Sequence, residues 1–413
     1  MQMRAILIML IVAGSNALRV HSSDTPELVQ LQAAVHAQGA PANLPPSPHK
    51  LMIDADMDVD DMWTIALALS DPRIDVVGIT VSPGWSHQWA GVPNAQRLVE
   101  AFALNPATVP VAYGTTTKTQ LVATVPTNLP PDKFLGGIDH YLTKSVPLPA
   151  ADRPPSSFDA HQLILQTMRG LAANETLDLV VTGSFSNLAL AMNTDPGTFL
   201  SKVGTVYFSG ALVEPATNKP YIEQKNFSPE DHRYGSNAFP HTDRTPGTSW
   251  NVFLDPISAS QIFSSGVKIV ASTWDSQNVL HISEEDPNAI PSECRGTERA
   301  DFAANFTLMF AAATGQKLSH LRYWDPSTFL TATQAIFGMQ DGENPICKEW
   351  KDLNLRVELE QADGTYGWVK ESPNGSPVRA CMHADLQAFL PIYWKSMACG
   401  VMQKSMACGA MHK

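Results

Sequence analysis

Five aspartates stand close together in the segment from Leu51 to Asp61, which reads LMIDADMDVDD. Carboxylates a few ångströms apart repel one another, and the repulsion costs free energy unless protons or a cation neutralise it. Carboxylate oxygens are also the ligands that hard divalent cations prefer. The segment therefore indicates a metal site, a phosphoryl-transfer site or a solvated acidic loop.

The cluster lies between a short apolar strand, KLMID, and a segment with helical apolar spacing, MWTIALALS. In open α/β sheets, ligands bind beyond the carboxyl ends of the strands. Aspartates in the first turn of a helix are also favoured by the helix dipole and by capping. Capping accounts for one or two aspartates, but it does not account for Asp54, Asp56 and Asp58 as well.

Strand-like and helix-like segments alternate along most of the chain. The later strand-like segments are IDVVGITVS, VPVAYG, LDLVVTG, TVYFSG and VKIVAST. This alternation predicts an α/β fold: one large domain with a mostly parallel, Rossmann-like central sheet and helices on both faces. Residues 116–157 and 214–248 are rich in Pro, Asn, Asp and Thr, and they predict two long inserted loops.

The two ends of the chain differ from this pattern. Arg4 followed by a short apolar stretch predicts a signal peptide over residues 1–17, and hence a secreted, extracellular protein. We expect a flexible linker over 18–48, the main domain over 49–395 and a tail over 396–413. The tail carries a short nine-residue repeat, KSMACGVMQ and KSMACGAMH.

Secretion affects how the cysteines are interpreted. An odd number of cysteines in an oxidising compartment predicts at least one thiol that is free or paired between chains, and the pairing stays open. Cys399 and Cys408, in the tail repeat, are candidates for interchain links. Asn174 and Asn305 begin acceptor motifs that predict a glycoprotein. The five cysteines are Cys294, Cys347, Cys381, Cys399 and Cys408.

Two known acidic motifs compare poorly with the cluster. An EF-hand calcium loop that began at Asp54 would need Gly and Glu where the chain has Val59 and Ile65. A phosphatase of the haloacid dehalogenase type also has two aspartates after its first strand. It needs a later acidic pair for magnesium, and the sequence offers no clear G-D-x-x-x-D. This phosphatase stays the less favoured alternative.

The segment DADMDVDDMWTIALAL resembles the signature D-x-D-P-G-x-D-D of the nucleoside hydrolase family, of the inosine-uridine preferring type. Four later segments resemble further signatures of that family in the same order: VVTGSFSNLALAM, WNVFLDPISAS, WDSQN and YWDPSTFLTA. The five segments fall within residues 48–395 and are more specific together than any one of them. The D-x-D-x-D-x-D-D form is closest to the secreted, plant-type branch.

The resemblance implies a calcium-dependent hydrolase that cleaves the N-glycosidic bond of ribonucleosides, with purines favoured, and that serves purine salvage. Asp56 would be the general base that activates a water beside the ion. Asp60, Asn251, Asp325 and Trp324 would bind the nucleoside. The implied Ca2+ ligands are Asp56, Asp61, Asp325 and the backbone carbonyl of Thr182.

The expected partner is thus a small-molecule nucleoside. The formal net charge of −12 argues against a nucleic acid or an anionic membrane surface as a partner. A homo-oligomer is left open.

The chain departs from the family pattern at several positions. Met57 and Asp58 replace Pro-Gly, and a positive φ would fall on Asp58 if the family glycine uses one. Ser249 replaces a glutamate near the ribose asparagine. Trp324 replaces the histidine proposed as the acid for the leaving group, and tryptophan cannot donate a proton at neutral pH.

These departures support an alternative, a nucleoside hydrolase-like binding or interaction protein with weak or no activity. If the chain is an enzyme, the proton for the leaving base must come from another residue or from solvent. His232 and His241, in the predicted loop 214–248, are two candidates.

Overall fold

The strands of the chain form one sheet that is parallel over most of its width. The computed structural model describes residues 48–114, 138–211, 213, 249–340, 342–359 and 367–399. Within them the strand order is β3-β2-β1-β4-β5-β6-β9-β7-β8, and β7 pairs antiparallel with β9 and β8. The strands are β1 (His49–Ala55), β2 (Ile74–Val81), β3 (Val111–Tyr113), β4 (Leu177–Val181), β5 (Val203–Ser209), β6 (Lys268–Ser272), β7 (Cys347–Glu358), β8 (Trp368–Glu371) and β9 (Ser376–Ala384).

Helices cover both faces of the sheet. Central strands place alternate residues on opposite faces: Val180 joins one hydrophobic core, whereas Leu179 and Val181 join the other. Helices α1, α2, α9, α10 and α11 contribute to the first core, and α3, α4 and α7 to the second. The helices are α1 (Val59–Ser70), α2 (Gln88–Phe102), α3 (Ala160–Arg169), α4 (Ser186–Thr194), α5 (Pro196–Lys202), α6 (Trp250–Leu254), α7 (Pro256–Ser264), α8 (Trp274–Gln277), α9 (Glu298–Thr314), α10 (Trp324–Phe337) and α11 (Leu386–Cys399).

The order of the strands reverses at β1. From β1 the chain moves outward to β2 and β3, and it then returns to the other side of β1 to form β4, β5 and β6. Asp54 pairs with Thr80 of β2 on one side and with Val181 of β4 on the other. In α/β sheets such a reversal leaves room at the carboxyl ends of the two neighbouring strands, here β1 and β4, and ligands bind there.

The architecture confirms the predicted α/β fold with its mostly parallel sheet. Residues 116–137 of the predicted loop 116–157 lie outside the described residues. The described remainder is not a loop throughout, because Tyr141–Ser145 form a helical turn whose Tyr141 and Leu142 are fully buried in the core beside α9. The predicted loop 214–248 lies outside the described residues, as do the predicted signal peptide and residues 18–47 of the predicted linker.

The last described helix runs four residues past the predicted end of the domain. Helix α11 continues to Cys399, because its apolar side packs against the core through Tyr393, Trp394 and Met397. Residues 400–413, which hold Cys408, lie outside the described residues. Among the described helices, none combines the length and the apolar character that a bilayer crossing requires.

Two disulfides join distant parts of the described chain. Cys294 pairs with Cys399, and Cys347 pairs with Cys381. The prediction that Cys399 forms an interchain link is therefore wrong: α11 brings its end against the segment that precedes α9, within the same chain.

Removing either disulfide by a double serine substitution should destabilise the fold. A crosslink restricts the unfolded chain, so each removal is expected to lower the free energy of unfolding by about 2–5 kcal/mol. The Cys294–Cys399 bond spans 105 residues and the Cys347–Cys381 bond spans 34, so the first removal should cost more. Urea denaturation under non-reducing conditions measures both, and unchanged midpoints would contradict the pairings.

Candidate functional site

The acidic segment forms the turn between β1 and α1. Asp56 follows β1 directly, and Met57 then adopts a φ of +61°, which side chains with a Cβ rarely take. Asp58 is extended, with a φ of −64°, so the positive φ expected at Asp58 falls one residue earlier. The fully buried Met57 side chain packs in the core, and this packing offsets a strain of about 1–3 kcal/mol.

Asp58 caps α1. Its Oδ1 accepts a hydrogen bond from the Val59 backbone N–H at 2.7 Å, and its side chain also accepts from the N–H of Asp61. The Asp61 Oδ2 accepts in return from the Asp58 N–H at 2.8 Å. This reciprocal capping box gives Asp58 a structural role and fixes the orientation of Asp61.

Three carboxylates meet at the amino-terminal ends of two helices. Asp60 and Asp61 lie in the first turn of α1, and Asp325 lies in the first turn of α10. One carboxylate oxygen from each lies within 4.8 Å of the other two. The Asp325 N–H also donates to the Asp60 Oδ2 at 3.5 Å. A calcium ion binds its oxygen ligands at about 2.3–2.6 Å, so oxygens at this spacing can share one ion.

Asp56 stands beside this group, close enough to Asp61 for the two carboxyl groups to interact. The Asp56 Oδ2 accepts from the Trp85 backbone N–H at 3.3 Å and from the Trp250 indole N–H at 3.2 Å. A Cβ added at Gly84 would lie 2.0 Å from the same oxygen. The loop after β2 therefore lies so close to Asp56 that only glycine fits at position 84. The two N–H donors hold the Asp56 carboxylate in one orientation.

Thr182 and Asn251 complete the wall formed by β4 and α6. The Thr182 hydroxyl donates to the Asp61 Oδ1 at 2.5 Å, and the Thr182 carbonyl accepts from the Asn251 amide at 2.8 Å. The same amide nitrogen also donates to the Ser209 carbonyl at 2.9 Å. Asn251 is thus tied to the backbone through its nitrogen, so a sugar contact from Asn251 would have to use its Oδ1.

Asp54 supports the cluster from behind. Its Oδ1 accepts from Thr80 and Asn187, each at 2.8 Å, and its backbone carbonyl accepts from the Thr182 N–H at 2.8 Å. Asp54 therefore joins β1 to β2, β4 and α4. Its Oδ2 is buried and has no hydrogen-bond partner in the part of the chain that the structure describes.

Tryptophans dominate the aromatic part of the site. Trp324 is half-buried at the start of α10, next to Asp325, and its indole nitrogen has no hydrogen-bond partner among the described residues. Trp85 and Trp250 pack on each other with ring centres 4.7 Å apart. Sequence reasoning missed the contact of Trp250 with Asp56, because the two residues are 194 positions apart and the motif indicates only the neighbouring asparagine.

The cluster carries more negative charge than its surroundings neutralise. Among the described residues, no lysine, arginine or histidine forms an ion pair with its carboxylates. Burial raises the pKa of Asp56 to about 6 and the pKa values of Asp54 and Asp60 to about 7. Burial and the neighbouring carboxylates raise the pKa values of Asp61 and Asp325 well above the ordinary range. Such a donor set fits a divalent cation, which favours the ionised forms.

Comparisons with known proteins identify the fold and the family of the chain. Two solved structures share the fold: an inosine-uridine preferring nucleoside hydrolase from Bacillus anthracis and a purine-preferring ribonucleoside hydrolase from Gardnerella vaginalis. Both have a TM-score of 0.63, at 17% and 20% identity. The alignments cover 85% and 84% of this chain, and 99% and 98% of those chains.

A curated relative is the pyrimidine-specific ribonucleoside hydrolase RihA of Escherichia coli O139:H28. It is 26% identical over 236 residues, which are 57% of this chain and 63% of the relative's length. The family model described as inosine-uridine preferring nucleoside hydrolase matches residues 51–391, nearly the whole described domain. The chain belongs to the inosine-uridine preferring nucleoside hydrolase family.

Proposed function

We propose that this protein is a secreted, calcium-dependent hydrolase that splits ribonucleosides into ribose and free base. The observation that carries the proposal is the grouping of Asp60, Asp61 and Asp325 beside Asp56, without a cationic side chain to balance them in the described residues. Four buried carboxylates at one point need a cation or protons to neutralise their charge. The family of the chain indicates that a cation bound there would serve the hydrolysis of nucleosides.

The residues proposed to hold the ion are Asp56, Asp61, Asp325 and the Thr182 carbonyl. Asp60 belongs to the same group of oxygens and is proposed to contact the ribose hydroxyls. When bound, calcium would orient the sugar and lower the pKa of a neighbouring water. All these donors are oxygens, which suit calcium better than they suit softer metals.

Asp56 is the proposed general base. The two N–H groups of Trp85 and Trp250 hold its Oδ2, and this fixes the plane of the carboxylate before substrate arrives. The carboxylate takes a proton from water as the water oxygen attacks the anomeric carbon. The transition state resembles an oxocarbenium ion, whose positive charge the surrounding carboxylates stabilise.

The tryptophans support a preference for purines. Trp324 offers a half-buried indole beside Asp325, and stacking of an indole on a base is worth about 1–3 kcal/mol. Larger bases gain more from such contacts. The named relatives include both a purine-preferring and a pyrimidine-specific enzyme, so the preference is proposed from the tryptophans of the site alone.

Secretion is proposed from the amino-terminal apolar segment, and the two disulfides support it because they persist in oxidising compartments. In that setting the enzyme would recover bases and ribose from extracellular nucleosides for purine salvage. Asn174 and Asn305 are both exposed, as glycan acceptors must be.

The alternative is a member of the family that binds without catalysis. It loses part of its support, because Met57 and Asp58 still build a turn that holds Asp56 and Asp61 in place. The main remaining argument for this alternative is that Trp324 replaces the histidine that would protonate the leaving base. The phosphatase alternative has no support from the family match.

Ribose release tests the proposed activity. Purified protein supplied with calcium should release ribose from inosine and guanosine faster than from uridine, and a chelator should stop the reaction. A reducing-sugar assay measures the product. Folded, calcium-supplied protein that cleaves no nucleoside would favour the binding alternative, and hydrolysis of phosphate monoesters would revive the phosphatase.

Asp56→Asn should abolish most of the activity, because amides do not accept a proton from water. The expected loss in kcat is about 10²–10⁴-fold. Asp58→Asn is the matched control: it removes one charge from the same turn, and asparagine is an equally good helix cap. Steady-state kinetics compares the two variants, and equal losses would contradict the role of Asp56.

Metal-free protein should lose stability as the pH rises. The pKa values of Asp54, Asp56 and Asp60 are raised on folding to about 6–7, so the folded chain binds these protons more tightly than the unfolded chain. The free energy of unfolding should therefore fall between about pH 4 and pH 7, that is, between the pKa values of the unfolded and the folded chain. Bound calcium favours the ionised carboxylates and should reduce or reverse that fall.

Thermal melting of metal-free and calcium-saturated protein at several pH values measures both slopes. Identical pH dependence in the two samples would contradict an ion at this cluster.

A further inference from the structure

The proposed reaction needs a proton for the departing base. A base that leaves with the bonding electron pair is a poor leaving group unless one of its nitrogens is protonated. Trp324 cannot supply that proton, and His232 and His241 lie outside the described residues. One histidine that the structure describes follows the two loop residues whose N–H groups bond to Asp56, and it pairs with a buried carboxylate.

The connection runs through the loop between β2 and α2. The Ser86 backbone N–H donates to the Asp56 carbonyl at 3.2 Å, next to the bond from the Trp85 N–H to the Asp56 side chain. The Ser86 hydroxyl donates to the Asp139 Oδ1 at 3.0 Å. Ser86 thus connects the backbone of Asp56 to the side chain of Asp139. The residue that follows Ser86 in the sequence also contacts Asp139.

That residue is His87. Its Nδ1 lies 2.7 Å from the Asp139 Oδ2, and its backbone N–H donates to the Asp139 Oδ1 at 2.9 Å. The Asp139 side chain is 2% exposed, whereas the His87 side chain is 34% exposed. A buried carboxylate that accepts from Nδ1 fixes the ring and directs Nε2 away from the pair. The Trp89 indole stacks on the ring and limits its movement further.

The other histidines whose side chains the structure describes lack this combination. His49 pairs with Asp178, but it lies at the amino-terminal end of β1, the opposite edge of the sheet from the site. His140 contacts the edge of Trp89, and its ring forms no hydrogen bond with any carboxylate of the described residues. The remaining ones lie on α3, between α8 and α9, and on β9: His161, His281 and His383.

We propose that His87, oriented by Asp139, is the catalytic acid that protonates the leaving base. This inference rests on the proposed nucleoside hydrolase function. As the C1′–N bond breaks, its electron pair stays on the base nitrogen, and the Nε2 proton of His87 passes to a ring nitrogen of the base.

Water supplies the other half of the reaction. Its oxygen forms the new bond to C1′, and Asp56 takes one of its protons. Solvent then returns a proton to His87 and removes one from Asp56, so the net change is nucleoside plus water to ribose plus base.

The test compares two substrates that differ in their need for an acid. Inosine requires protonation of its base, whereas 4-nitrophenyl riboside releases a stable anion without it. His87→Gln should lower kcat for inosine by about 10²–10⁴-fold and leave kcat for the nitrophenyl riboside nearly unchanged. Asp139→Asn should show the same split with a smaller loss, since it misorients the ring without removing it.

His140→Gln is the matched control, because it removes a neighbouring histidine that also contacts Trp89. It should keep both activities. If His87→Gln lowers kcat equally for the two substrates, the proposal is overturned and the His87–Asp139 pair has a structural role. An unchanged kcat for inosine in His87→Gln would also overturn the proposal. A wild-type protein that is inactive on both substrates would overturn the proposed function itself, and this inference with it.

Discussion

The structure depends on one electrostatic constraint, the burial of several carboxylates at a single point. Asp56, Asp60, Asp61 and Asp325 are at most 5% exposed, and no cationic side chain among the described residues pairs with them. Ionised carboxylates in such surroundings are unstable unless a cation is present. The cluster is therefore able to hold a divalent cation, and the proposed function depends on that ion.

The fold assembles this shell from distant parts of the sequence. The reversal of strand order at β1 brings the ends of β1 and β4 together, so Thr182 reaches Asp61. Two helices direct their amino-terminal ends, where anions are favoured, at the same point. The strained backbone at Met57 and the close approach of Gly84 are the local costs of holding Asp56 in one orientation.

Much of this could be predicted from the sequence. The alternation of strands and helices indicated the sheet, and the ordered motifs indicated which aspartates meet. Two kinds of feature could not be predicted. The capping role of Asp58 depends on the residue at which α1 begins, which composition does not fix. The contacts of Asp56 with Trp250, and of His87 with Asp139, join residues that are distant in sequence, and the motifs indicate neither contact. The disulfide pairing was open for the same reason.

The most direct test of the account is a count of bound ions. Calorimetric titration of metal-free protein with calcium should show one saturable site per chain, and Asp325→Asn should weaken that site strongly while the fold is retained. Absence of calcium binding to the folded wild-type protein, or affinity that is unaffected by Asp325→Asn, would contradict the claim that the carboxylate cluster is a cation site.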